Sequence, residues 1–130
     1  MRGRRGDPGE RQMKNGGLSI DIDRTRAGNV CIVTLAGRID SSNAKDVLAE
    51  LTRLMDSGET SLLVDLGNVL YLTSAAFRVL LVATDEAERR AIRFALCSLA
   101  GHVLELFEMG GLVDVFAIHH SREDALKQLS

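Results

Sequence analysis

The sequence predicts an α/β domain: a mixed, mostly parallel β-sheet with an N-terminal β-hairpin and four helices, in the order β-β-α-β-α-β-α-β-α. Three observations lead there. Apolar residues alternate near the N-terminus and recur at steps of three and four in four later segments. Short apolar runs lie between those segments, of the kind that make strands covered on both faces. A chain of 130 residues, 45% of them hydrophobic, can bury one core without disulfides or metals.

The elements follow in order. "MRGRRGDPGERQMKNGG" (1–17) holds five glycines, the sole proline and no apolar period, so a disordered tail is expected, with one domain over 18–130. Met13 is a possible alternative start, and the RGD at 5–7 reads as chance. "LSIDIDR" (18–24) places Leu18, Ile20 and Ile22 on one face of a strand; "AGN" (27–29) turns the chain into "VCIVTLAG" (30–37), completing a hairpin. "SSNAKDVLAELTRLM" (41–55) has helical spacing, with Ser41, Ser42 or Asn43 as cap and Gly58 as stop. "SLLVDL" (61–66) is the expected central strand, followed by a short loop. The helix after Ser74 presents Phe77, Leu80, Leu81, Thr84 and Ala87 inward. "IRFALCSL" (92–99) returns to strand and "HVLELFEM" (102–109) to helix. "VDVFAI" (113–118) is the last strand, and "SREDALKQL" (121–129) opens a final helix with Ser121 and Asp124 in a capping-box arrangement.

The formal net charge is −2. Residues 1–16 carry five Arg/Lys against two acidic residues, which leaves the folded part at −5 and argues against a nucleic-acid partner. No apolar run approaches the ~20 residues of a membrane helix. The start lacks the apolar stretch of a signal peptide. Cys31 and Cys97 both lie in strand-like runs, so reduced core thiols in a cytoplasmic protein are expected.

Motifs for enzymatic chemistry are missing. His102 stands alone, and His119 and His120 would point to opposite faces of a strand. Neither cysteine belongs to a C-x-x-C pair, no phosphate-cradling glycine pattern occurs, and the carboxylates are scattered over helix surfaces. No metal or cofactor is expected. A Ser74 nucleophile lacks a surrounding elbow motif and would need a histidine within hydrogen-bond reach.

Three separated blocks, "LAGRIDSSNA", "LLVDLGNVLYLTSAAFRVLL" and "FALCSLAGHVLELFEMGGLVDVFAI", resemble the STAS domain of bacterial anti-sigma factor antagonists. The resemblance runs from about Leu18 to the C-terminus. It places the family's Asp-Leu strand end on Asp65 and Leu66 and its aromatic position on Tyr71. The phosphorylated serine falls on Ser74, the acidic residue of the first loop on Asp40, and the late Gly-Leu turn within "EMGGL" (108–112). It implies a partner-binding stretch of Asp40, Thr73, Ser74, Ala75 and Ala76, with Thr73 as secondary acceptor. The implied partner is an anti-sigma factor that is also a serine protein kinase with bound ATP-Mg, and a serine phosphatase would reverse the modification. The family signature D-S-[ST]-G has here become T-S-A-A. That departure favours the alternative of a STAS adaptor that is never phosphorylated, similar to the soluble partner of a lipid-transport ABC ATPase.

Two readings of Ser74 follow from one geometry. Either Thr73 or Ser74 caps the helix through its side-chain oxygen, contributing about 1 kcal/mol, or Ser74 presents its hydroxyl for modification. Phosphate there would add roughly −1.5 to −2 charges. Asp40 has a turn-stabilising role as its alternative. Arg38 and Arg78 are expected to flank the same face, where either could pair with a phosphate, and Tyr71 is expected to pack in the loop.

Overall fold

A computed structural model describes residues 20–129. The expected tail, Leu18 and the C-terminal Ser130 lie outside the described residues. The nine elements appear in the expected order. Strand β1 (Ile20–Ala27) pairs antiparallel with β2 (Val30–Ile39) across a two-residue turn in which Gly28 takes φ +63°, a conformation cheap only for glycine. Helix α1 (Ala44–Asp56) leads to β3 (Ser61–Leu72), and α2 (Ser74–Arg89) to β4 (Arg93–Cys97). Then come α3 (Gly101–Met109), β5 (Ile118–His119) and α4 (Arg122–Leu129). The sheet order is β1-β2-β3-β4-β5, parallel from β2 onward.

Helices cover both faces of the sheet unequally. On one face α1, α2 and α3 seal the larger core, in which Val33, Leu35, Val64 and Leu96 meet Leu51, Leu80, Val103 and Phe107. Each such side chain, fully removed from water, contributes about 1.5–3 kcal/mol. On the other face α4 alone lays Ala125 and Leu129 over Ile32, Leu63, Ala95 and Cys97. Cys31 and Cys97 are free and buried, one in each core, and burial pushes both thiols up.

The structure corrects three expectations. No loop separates "SLLVDL" from the second helix, because β3 continues through Gly67–Leu72. Its core-facing residues run Leu62, Val64, Leu66, then Val69, then Leu72. Each step of three coincides with a register shift against β2, where β3 holds one extra residue. These are β-bulges, which keep the apolar side chains on one face while bending the strand.

The last strand shrinks to Ile118–His119, paired with Leu96 and Cys97. Within the expected strand only Phe116 is buried, edge-on to Phe107 at 5.4 Å between ring centroids; Val113 and Val115 are exposed. The inner face of α2 is also shifted. Leu80 and Ala87 are buried as expected, but Ala76 and Ala83 complete the stripe, while Phe77, Leu81 and Thr84 are half-buried at its flanks. Three alanines let the helix lie close to the sheet, and adding bulk there would cost about 1–3 kcal/mol.

Candidate functional site

The parallel strands β2 and β3 end side by side, with Ile39 opposite Leu72, so Asp40 and Thr73 emerge about one strand spacing apart. Thr73 is extended (φ −98°, ψ 176°). Its N–H donates to the Ile39 carbonyl at 3.0 Å and its hydroxyl donates to the same oxygen at 3.3 Å. The Thr73 carbonyl then accepts the N–H groups of Ala76 and Phe77, which starts α2. Thr73 therefore holds the N-cap position without capping through its side chain. Both forms of the capping expectation fail here, because the Thr73 hydroxyl is directed back to the neighbouring strand and Ser74 is already the first helical residue.

Ser74 is exposed, and its hydroxyl has no hydrogen-bond partner among the described residues. The first turn of α2 carries no acidic side chain, whereas α4 begins with Glu123 and Asp124. The positive end of the α2 dipole is thus not offset by any acidic side chain of the helix's own first turn. Ala75 is half-buried beside Ser74. Ala76 is wholly buried against the core, so its side chain contributes nothing to an outer contact surface, a correction to the implied partner-binding stretch.

The adjoining loop is tightly tied. Asp40 Oδ1 accepts the Ser42 hydroxyl at 2.6 Å and the Ser42 N–H at 2.9 Å. The Ser42 hydroxyl, then its N–H, holds the Asp40 carboxyl below the ordinary carboxylate range. Asn43, which the sequence offered only as a cap, is fully buried. Its Oδ1 accepts the Asp40 N–H at 3.0 Å and its Nδ2 donates to the Arg38 carbonyl at 2.8 Å, pinning the loop from beneath. Asp40 thus performs the turn-stabilising role while remaining half-exposed.

The surroundings add groups that sequence reasoning did not select. Leu70 is 63% exposed and Tyr71 46%, an apolar strip on the bulged end of β3. The Arg38 guanidinium lies 5.8 Å from the centre of the Tyr71 ring, a cation–π contact. Tyr71 is therefore a surface residue rather than a packed loop residue. His102 Nε2 lies 2.9 Å from the Leu70 carbonyl oxygen and ties the start of α3 to this strip. The strip has no local sequence signal, because its exposure depends on β3 continuing through the bulges to Leu72. Arg78 is exposed on α2, one turn beyond Ser74.

Chemically, the site offers an accessible primary alcohol beside an ionised carboxylate and an apolar strip. No histidine hydrogen-bonds to Ser74 among the described residues, and His102 is engaged at Leu70. Among the described residues no cluster of three or more His, Cys, Asp or Glu side chains is arranged to hold a metal ion, and no helix is long and apolar enough to cross a membrane.

Comparison with known proteins places this geometry in context. Residues 21–125 match the STAS domain family. The chain is 37% identical over 106 residues, 82% of its own length and 91% of the other's, to BtrV of Bordetella bronchiseptica, which carries the name anti-sigma factor antagonist. Among solved structures, an anti-sigma factor antagonist from Mycobacterium paratuberculosis superposes with a TM-score of 0.79 at 20% identity, covering 85% of this chain and 94% of that one. The Bacillus cell-fate determinant SpoIIAA in its phosphorylated form superposes at 0.64 with 16% identity, covering 86% of this chain and 100% of that one. These two structures share the fold. The five-stranded sheet, the family match over most of the chain and the relation to BtrV lead to one conclusion: this protein belongs to the STAS domain family, among the anti-sigma factor antagonists.

Proposed function

We propose that the protein is a phosphorylation-controlled binding module whose partner is an anti-sigma factor with serine kinase activity, and that Ser74 is the acceptor. The surface formed by the Asp40 loop, the start of α2 and the Leu70-Tyr71 strip docks on the partner. In this reading the unphosphorylated protein holds the anti-sigma factor and so frees a sigma factor. The kinase supplies ATP-Mg and the catalytic base. The Ser74 oxygen attacks the γ-phosphorus, the bond to the departing ADP oxygen breaks, and the hydroxyl proton passes to the kinase. A serine phosphatase restores the starting state.

The observation that carries this reading is the contrast between two adjacent hydroxyls. Thr73 is committed to the Ile39 carbonyl, whereas Ser74 is exposed and unpartnered among the described residues. A phosphate at the head of α2 adds ~−1.5 to −2 charges on a surface that docking would desolvate. A penalty of only ~3 kcal/mol weakens binding more than a hundredfold. One covalent event thereby releases the partner without refolding either protein.

Incubation with the cognate kinase and ATP, followed by mass spectrometric mapping, tests the assignment. Phosphate on Ser74 is expected. An unmodified protein that still binds its partner would favour the second reading, a docking adaptor without the switch, for which Thr73, Ala75 and Ala76 in place of the family residues already speak.

A further inference from the structure

We infer that Arg78 is the internal partner of a phosphate on Ser74, and that phosphorylation withdraws this arginine from the docking surface as it adds negative charge. The inference rests on the reading of Ser74 as acceptor and specifies how that site is regulated.

Of the nine described arginines, eight are engaged. Six hold carboxylates, Arg93 holds backbone carbonyls of α4, and Arg38 lies over Tyr71. Arg78 alone has no partner among the described residues. It follows Ser74 by four positions in the same helix, and both are exposed. Residues so spaced are neighbours on a helix surface, with Cβ atoms ~5–6 Å apart. Side chains on a helix lean toward its N-terminus, which brings a guanidinium at position 78 within reach of a group carried at position 74.

An anion four residues before a cation is the favourable order for such a pair. Guanidinium and phosphate also match as a two-point hydrogen-bonded pair. No acidic residue in the first turn competes: the first carboxylate along α2 is Asp85, which already holds Arg89.

The consequence is a switch with two parts. Without phosphate, Arg78 projects from the docking face as a free cation and fits an acidic side chain on the anti-sigma factor. With phosphate, it folds back onto Ser74 and that contact is lost along with the gain of repulsion. The T-S-A-A junction supplies no acidic residue next to the acceptor in the chain, and the Asp40 carboxylate of the adjoining loop is held by Ser42, so Arg78 is the cation that the acceptor's own helix offers the phosphate.

Phosphoserine installed at position 74 during translation of the full chain tests this without any kinase. Phosphorus NMR would follow the phosphate through its second ionisation, near pH 6 for free phosphoserine, in the otherwise native protein and in the Arg78→Gln and Arg78→Lys variants. The midpoint is expected below 6 in the native background and higher by about half a unit in Arg78→Gln, with Arg78→Lys between them. Identical midpoints in all three would overturn the pairing. In a second arm, unphosphorylated Arg78→Gln should bind the anti-sigma factor ~5–10-fold more weakly, with a shallower salt dependence. Unchanged affinity would overturn the withdrawal. Because the phosphate is supplied genetically, a kinase that ignores Ser74 counts against the functional reading alone.

Discussion

Asp65 and Ser74 belong to one strand-and-helix unit, yet their polar atoms are satisfied in opposite ways. Asp65 is 8% exposed, on the face covered by α4. Its Oδ2 accepts Arg122 Nε and Nη2, both at 2.9 Å, and its Oδ1 accepts the Gly67 N–H at 2.8 Å. Arg122 reaches on to the Thr34 hydroxyl at 3.1 Å. A Cβ at residue 67 would sit 3.1 Å from the same carboxylate and 3.3 Å from the Ser98 Cβ, so glycine lets the bulged strand close around Asp65. Ser74 lies exposed at the head of α2 with no internal partner among the described residues.

The difference teaches where to look for function. A buried polar group has to find its partners inside, because leaving one unpaired costs about 1–3 kcal/mol. The Asp65–Arg122 pair therefore reads as architecture, fixing α4 against the sheet, with little net stability of its own. An exposed hydroxyl carries no such obligation and remains available to another molecule.

The largest effect should come from the architectural region. Arg122→Ala leaves a buried carboxylate without its cation and is expected to cost ~2–3 kcal/mol in urea unfolding, below the range for a fully buried pair because the arginine is partly exposed. Binding through Ser74 should survive wherever the protein is folded. Loss of binding in a folded Arg122→Ala would show that the two regions are not independent.

A smaller effect separates the neighbouring hydroxyls. Thr73→Val removes the long hydrogen bond to Ile39 at nearly constant shape and should cost ~0.5–1 kcal/mol. Phosphate transfer to Ser74 should persist, and its disappearance would make Thr73 the acceptor.

The smallest effect concerns acid. The folded carboxyls of Asp40 and Glu50 both lie below their ordinary values. For Asp40 the cause is Ser42. For Glu50 burial acts upward, but hydrogen bonds from Arg53 and Arg24 outweigh it. A group depressed by folding stabilises the folded state above its unfolded pKa. That stabilisation is lost as pH falls through the depressed value, so urea unfolding should show stability level from pH 7 to about 5 and declining below about 4. Ser42→Ala should return the Asp40 carboxyl toward its ordinary value by NMR titration while leaving that of Glu50 in place.

Much of the architecture was legible because most elements kept one period: the hairpin, all four helices and the order of the elements along the chain follow from apolar spacing. The period failed where geometry changed within a strand. Leu66, Val69 and Leu72 step by three, which resembles irregular chain until the bulges against β2 are seen. The 113–118 segment alternates like a strand, yet β5 pairs with β4 only through Ile118 and His119. At the site, Ser74, Thr73 and Asp40 could be selected from the helix boundary and the family resemblance. The Asp65–Arg122 contact, the buried Asn43 and the His102 tie to Leu70 join residues distant in sequence, and no local pattern announces such pairs.

Titration calorimetry of the anti-sigma factor against two forms of the full chain, one unmodified and one carrying phosphoserine at position 74, addresses the docking switch most directly. The exposed hydroxyl at the head of α2 predicts tight binding of the unmodified form and affinity at least ~100-fold lower for the phosphorylated one, with both forms equally folded. Equal affinities would contradict it.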